Sequence, residues 1–300
     1  MNKVSKIKDD VKIEEAIPNE RITLAKDVWK RFKRNKLAVF GSFIIFVLLI
    51  IAIFAPVIAP YSYRDQNLEQ ALLPSSREHL FGTDFFGRDV FSRVIYGARI
   101  SIAVSIIPTA ISTILGVFFG SISGYKGGMF DLIFMRFVDM MFAFPELLFV
   151  IAISFAIGRG LFTLFIALAI VGWPRDARII RSQVISIKQK EYIEAARAIG
   201  MSDMRVLFRH VLPNCIAPII VLVSLSIPGV ILSEAIYSFL GMGAQPPTPS
   251  WGAILSDGQP FIRNAPWIAI WTGIAIFITV LAYNLIGDGL RDALDPFLKR

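Results

Sequence analysis

From Leu37 to Ala59 the chain runs without a single charged side chain. A helix needs about 20 such residues to cross roughly 30 Å of hydrocarbon at about 1.5 Å per residue. Inside that medium no water serves the backbone N–H and C=O groups, so an apolar block of this kind must be helical. Composition agrees: 55% of the 300 residues are hydrophobic and 18% charged, where a soluble domain carries about half and about a quarter. The block starts too far from the amino terminus for a cleavable signal peptide and reads as an uncleaved anchor.

The apolar runs place six crossings at roughly 38–58, 101–122, 131–157, 161–178, 215–239 and 267–287. The chain is therefore expected to be an all-α membrane protein, a polytopic bundle of about six transmembrane helices. It divides into a tail with a basic amphipathic helix (1–37), the first crossing (38–58), an extracytoplasmic segment (59–100), a five-helix core (101–289) and a second tail (290–300). The fourth crossing is short of apolar residues, because the clean run from Leu161 to Trp173 must continue through Pro174 and Arg175. The third is interrupted by Pro145, and it carries Arg136 and Asp139, three residues apart and able to pair on one helical face.

Residues 1–20 have mixed charge without periodicity and read as a tail. Beyond them Leu24, Val28 and Phe32 share a face of a helix that Thr23 can cap, with lysines and arginines opposite. A helix lying in the membrane interface and a basic helix merely flanking the first crossing both fit. The net charge of +8 would suggest nucleic acid in a soluble protein; here the position of the charges matters more. Basic residues in short loops mark the cytoplasmic side. The amino-terminal tail and the stretch Arg175 to Arg209 are the densest, and an even number of crossings separates them. Arg291, Lys299 and Arg300 put the carboxyl end on the same side. Arg64, Arg77, Arg88, Arg93 and Arg99, in the segment placed outside, run against the scheme. Gly116, Gly120 and Gly124 form a flat stripe where another helix can approach closely, within the chain or from a partner subunit.

Between the fourth and fifth crossings, residues 181–214 hold two short helices. Good helix formers fill Lys188 to Ile199. Gly200 supplies the positive φ that stops a helix. Ser202 or Asp203 can cap a second helix, along which Val206, Leu207, His210 and Val211 recur at helical spacing until Pro213 ends it. Such a pair can fit a groove on a soluble partner and pass that partner's motion to the crossings. It can also be an ordinary amphipathic connector on the headgroups. A helix-turn-helix for DNA is a third reading, but tethering at both ends leaves little freedom to enter a groove.

Glu194-Ala195-Ala196, then Gly200, then His210-Val211-Leu212-Pro213 resembles the EAA loop of permease subunits of bacterial ABC importers, with His210 where that pattern often has isoleucine. The stretches Phe81 to Ser101 and Asn284 to Pro296 resemble the corresponding parts of dipeptide and oligopeptide permeases, and with the long basic tail they resemble the C-type subunit. The resemblance covers nearly the whole chain after about residue 25. It implies a MetI-like importer permease fold in a bacterial inner membrane. It also implies a second homologous permease, two ATPase subunits and an extracytoplasmic peptide-binding protein as partners. Glu194, Ala195, Ala196 and Gly200 would then lie in the ATPase-docking helix and its turn, with His210, Leu212 and Pro213 completing the loop. Permeases of this family also serve nickel and other small solutes.

The sequence contains no Gly-x-x-x-x-Gly-Lys-Ser/Thr phosphate loop. No cofactor is expected in this chain, ATP and Mg being left to the partner ATPases; a channel or an ion-coupled carrier would fit that feature equally. Cys215 is the sole cysteine, so neither a disulfide within the chain nor a cysteine metal cluster is expected. His79 and His210 fall in expected loops, which argues against an intramembrane hydrolase. Arg136, Asp139, Glu146 and Glu234 are the polar candidates for a translocation path, although pairing for structure fits Arg136 and Asp139. The loop Gly243 to Asn264, with Pro246, Pro247, Pro249 and Trp251, either faces a binding protein or is a stiff connector.

Overall fold

The computed structural model describes residues 24–295. Thr23, the 1–20 tail, Pro296, Lys299 and Arg300 lie outside the described residues. In chain order the helices are α1 (Leu24–Arg34), α2 (Lys36–Ile53), α3 (Ala55–Ile58), α4 (Val90–Lys126), α5 (Gly128–Ala143), α6 (Glu146–Ile157), α7 (Leu161–Lys188), α8 (Glu191–Ala198), α9 (Asp203–Val206), α10 (Leu212–Phe239), α11 (Trp251–Gly258) and α12 (Trp267–Leu294). Among the described residues there is no strand, and one isolated bridge joins Thr83 to Asp89.

Four of the expected crossings are helices long and apolar enough to span a bilayer: α2, α4, the run from α9 through α10, and α12. The third expected crossing is not one helix. It breaks at Phe144–Pro145 into α5 and α6, which meet at 88°. Proline has no N–H to donate and disfavours helical geometry in the residue before it, and Phe144 adopts extended backbone. The fourth, α7, has 28 residues, but Arg175, Asp176, Arg178 and Arg181 crowd its second half. The packing of α4 on α7 settles the path between them. Gly116 lies against Asp176 and Ala177, and Gly124 against Arg181 and Val184, so the two helices run in the same direction. The chain between them must return to its starting end, and the bent pair α5–α6 is that return.

The glycine stripe is thus used inside the chain. A Cβ on Gly116 would lie 2.6 Å from the Cβ of Asp176, and one on Gly124 would lie 2.8 Å from the carbonyl of Arg181. The charges of α7 also find partners there. Asp176 is buried and accepts hydrogen bonds from Ser112 (2.6 Å) and Thr113 (3.3 Å). Arg181 forms a two-pronged pair with Asp131 of α5, which shortens what each charge would otherwise lose to desolvation. The main core joins α2, α4, α10, α11 and α12 around Trp251, Ile231, Ile254 and Ile268.

α4 begins at Val90, eleven residues before the expected start, because Asp89 caps it by accepting from Ser92 N–H at 2.7 Å. Two of the arginines that opposed the orientation scheme are buried here. Arg88 donates to Asp84 (2.6 Å) and Asp257 (3.1 Å); Arg93 donates to Asp84 and to Asp257 (2.8 Å). They are tied to structure and are not loose loop charges. Trp251 is also interior, its indole N–H donating to Val94 O at 3.0 Å. The Gly243 to Asn264 stretch therefore holds a packed helix, α11. At the amino end Phe32 is buried against Ala293 with Val28 beside it, so α1 docks on the last turns of α12.

Candidate functional site

The segment between α7 and α10 departs from the expected helix pair at both of its ends. Helix α7 continues to Lys188, and the first short helix is only α8, from Glu191. Its carboxyl end matches expectation closely. Gly200 has φ +82°. Its N–H bonds Arg197 O at 2.9 Å, and the N–H of Met201 bonds Ala196 O at 3.3 Å. These two bonds define a Schellman cap, which satisfies carbonyls that the helix end would leave open. Ser202 sits at the N-cap of α9, though its side chain makes no capping bond.

Pro213 does not end the second helix. α9 passes into a π-helical turn, Leu207–Val211, and then directly into α10. A proline ring collides with the carbonyl four residues back; widening the turn moves that carbonyl away, and Leu212 N–H bonds Leu207 O instead. Two short helices hinged at both ends are thus replaced by one short helix, a glycine turn, and a second helix continuous with a membrane crossing.

The faces sort cleanly. Ile193 and Ala196 are buried, with Val206, Leu207, Val211 and Cys215, against Tyr125, Ile180 and Val184. Glu194, Ala195 and Gly200 are exposed, as is Pro213; His210 and Leu212 are partly buried. His210 Nε2 is buried and has no hydrogen-bond partner among the described residues. Tyr125, at the end of α4, anchors the arrangement and was missed by sequence reasoning. Its hydroxyl donates to Asp203 at 2.9 Å. Its carbonyl accepts from Lys188 Nζ. The Arg197 guanidinium stacks over its ring at 5.2 Å. A lone tyrosine beside a basic residue at the end of an apolar run was the available signal.

The four polar candidates separate. Glu234 is fully buried and holds α10 to α4, accepting from Ser101 (3.0 Å) and Ser238 (2.7 Å). Asp139 takes its tight hydrogen bond from Arg178 of α7. Arg136 is only 3.9 Å away from it, with both side chains at least half exposed, so the expected pair is loose. Glu146 accepts from the buried Tyr237 hydroxyl at 3.1 Å and lines a cavity of about 430 Å³ between α5, α6, α7 and α10. Phe142, Phe144, Phe149, Arg175 and Ser226 line it as well.

A bundle that holds a largely apolar cavity with two charged side chains between its crossings, and presents a rigid capped turn at one end, is built as a membrane transport subunit. The chain belongs to the family of binding-protein-dependent transport system inner membrane components, which it matches over residues 116–300. Residues 23–74 match the N-terminal transmembrane domain of oligopeptide transport permease C. The chain is 46% identical over 274 residues to the dipeptide transport system permease protein DppC of Alkalihalophilus pseudofirmus, covering 91% of this chain and 90% of that one. It is 43% identical over 286 residues to the oligopeptide transport system permease protein OppC of Bacillus subtilis, covering 95% and 94%. The same identity over 286 residues is found with the glutathione transport system permease protein GsiD of Escherichia coli, covering 94% and 93%. An inward-facing structure of the MetNI methionine ABC transporter superposes with a TM-score of 0.58 at 16% identity, over 68% of this chain and 96% of that one; that likeness speaks to the fold alone. The protein is a C-type permease component of an ABC importer, a multi-pass inner-membrane protein.

Proposed function

We propose that this permease forms half of the channel through which dipeptides or oligopeptides enter the cell, paired with a second, homologous permease. The names of its relatives support the cargo class. An extracytoplasmic binding protein delivers the peptide. Two ATPase subunits bind ATP and Mg and do the hydrolysis, and this chain is the non-catalytic partner that they move. Both termini and the 181–214 segment lie on the cytoplasmic side, where the positive-inside rule puts them.

One observation carries the reading: α8 turns Ile193 and Ala196 inward onto Tyr125 while leaving Glu194, Ala195 and the Gly200 turn outward on a rigid cap. That surface docks the ATPase. Because α9 runs through the π turn into α10 without a break, a push on α9 tilts α10 as a body. Ser226, Gly229 and Ser233 of α10 line the cavity, so the push changes the cavity's shape. This is a lever rather than a hinge in the repertoire of such transitions.

Replacing Gly200 tests this. Nothing crowds the position, so Gly200→Val acts through the backbone, where a left-handed conformation costs a β-branched residue at least about 1–2 kcal/mol. Peptide uptake should fall and less ATPase should co-purify. Normal uptake with intact assembly would remove the coupling role from this turn.

A further inference from the structure

The cavity between α5, α6, α7 and α10 carries one charge of each sign, and among the described residues the two do not pair with each other. Arg175 and Glu146 both line it. Charges at membrane depth are retained where they serve function or a partner. Ser226, which marks the Arg175 side, lies 14 residues into α10, about 21 Å along it at 1.5 Å per residue.

We propose that this cavity is a transient binding site for a zwitterionic solute, in which Arg175 takes a carboxylate and Glu146 an ammonium group. The proposal rests on the peptide reading above and makes it specific: the permease selects for free peptide ends. Each charge is held in place yet keeps capacity for a ligand. Arg175 Nη2 donates to Ser226 Oγ at 2.9 Å. Its Nε is 3.7 Å from Asp176 Oδ1, too long for a hydrogen bond, and half of the side chain is exposed. Asp176 gives its other oxygen to Ser112 and Thr113, so it steadies the guanidinium without consuming it. The planar fork that remains matches a carboxylate. On the other wall, Tyr237 fixes Glu146 through Oε1 and leaves Oε2 for a donor. Three phenylalanines, Phe142, Phe144 and Phe149, line the cavity beside aliphatic residues such as Leu168 and Val171. Aromatic faces accept side chains of many shapes and attract an ammonium. A volume of about 430 Å³ falls within the range of small-ligand sites. Ends recognised by charge and a middle recognised only by apolar and aromatic surface suit a carrier that must pass many sequences.

The test uses the complete transporter, with its binding protein and ATPases, in proteoliposomes. Uptake is compared for a dipeptide, its C-terminal amide and its N-acetyl derivative. The binding protein is the same throughout, so a change in preference between variants belongs to this chain. Arg175→Gln should reduce the preference for the free carboxylate over the amide by about tenfold, or ~1.4 kcal/mol, while the preference for the free amine stays. Glu146→Gln should do the reverse. Unchanged preferences in both variants, or the two preferences falling in parallel in each, would overturn the assignment. If Arg175→Gln fails to assemble, Glu146→Gln, whose side chain is exposed, decides alone. A wild-type complex that imports none of the three peptides would sink the peptide reading itself, an outcome distinct from a wild type that imports the dipeptide and variants that share its preferences.

Discussion

The two ends of the bundle are fastened by different physics. Where α4 begins, four charged groups interlock: Asp84 and Asp257 each meet both Arg88 and Arg93. Around them Trp251 and Trp267 donate to the carbonyls of Val94 and Thr83 (3.0 and 3.1 Å), and His79 meets Asp89 at 2.9 Å. Directional bonds there tie α4, α11, α12 and the connecting segment into one piece. At the other end α8 and α9 rest on an apolar cluster and one tyrosine, and most of their residues face outward. Segments with few buried contacts open most readily. A transporter needs this contrast: a frame that stays fixed, and a lever that is free to move against it.

The comparison can be broken at either end. The largest effect is expected in the frame. Asp84→Asn leaves two buried arginines sharing one remaining carboxylate, and should lower stability by about 3 kcal/mol, the lower end for a broken buried pair because Asp257 stays. Thermal unfolding of the purified protein checks it; an unchanged midpoint would show that the ion cluster does not hold the frame. Tyr125→Phe, at the lever, removes one hydrogen bond to Asp203, worth about 1 kcal/mol. Amide exchange in α8 and α9 should rise about fivefold while that around Trp251 is unaltered; equal rises at both ends would erase the distinction. The smallest effect is expected from Arg136→Gln. Its pair with Asp139 spans 3.9 Å with 75% and 50% of the two side chains exposed, and such pairs contribute about 0–1 kcal/mol. Uptake and melting should match wild type, and a large loss would return Arg136 to the translocation path.

What the sequence announced and what it hid follow the same division between local and distant causes. The charge-free run of α2, the stop at Gly200 and the glycine stripe are written in neighbouring residues, and each stands where its chemistry puts it; Ser202 takes the expected N-cap position but makes no side-chain capping bond. The break at Pro145 was visible as an irregularity, but its 88° turn was not, because the angle depends on what α6 packs against. Pro213 misled, since the rule that proline ends a helix assumes an α turn before it, and the π turn at Leu207–Val211 has no sequence marker as plain as a proline. Partners far apart in the chain were illegible. Asp139 with Arg178, Glu146 with Tyr237, and Asp176 with Ser112 are joined by tertiary packing alone. Ser112 and Thr113 did not mark Asp176 in advance, because Ser101, Ser105, Thr109 and Ser121 put other hydroxyls along the same helix.

The account turns on α8 being the surface that the ATPase touches. Cys215 is buried, so a cysteine introduced at the exposed Ala195 is the one accessible thiol among the described residues. In the assembled complex, Ala195→Cys should cross-link to an ATPase subunit in high yield, and the yield should change when ATP is added. An Ala195→Cys thiol that forms no ATPase adduct, or that reacts with a membrane-impermeant reagent from outside intact cells, would contradict it.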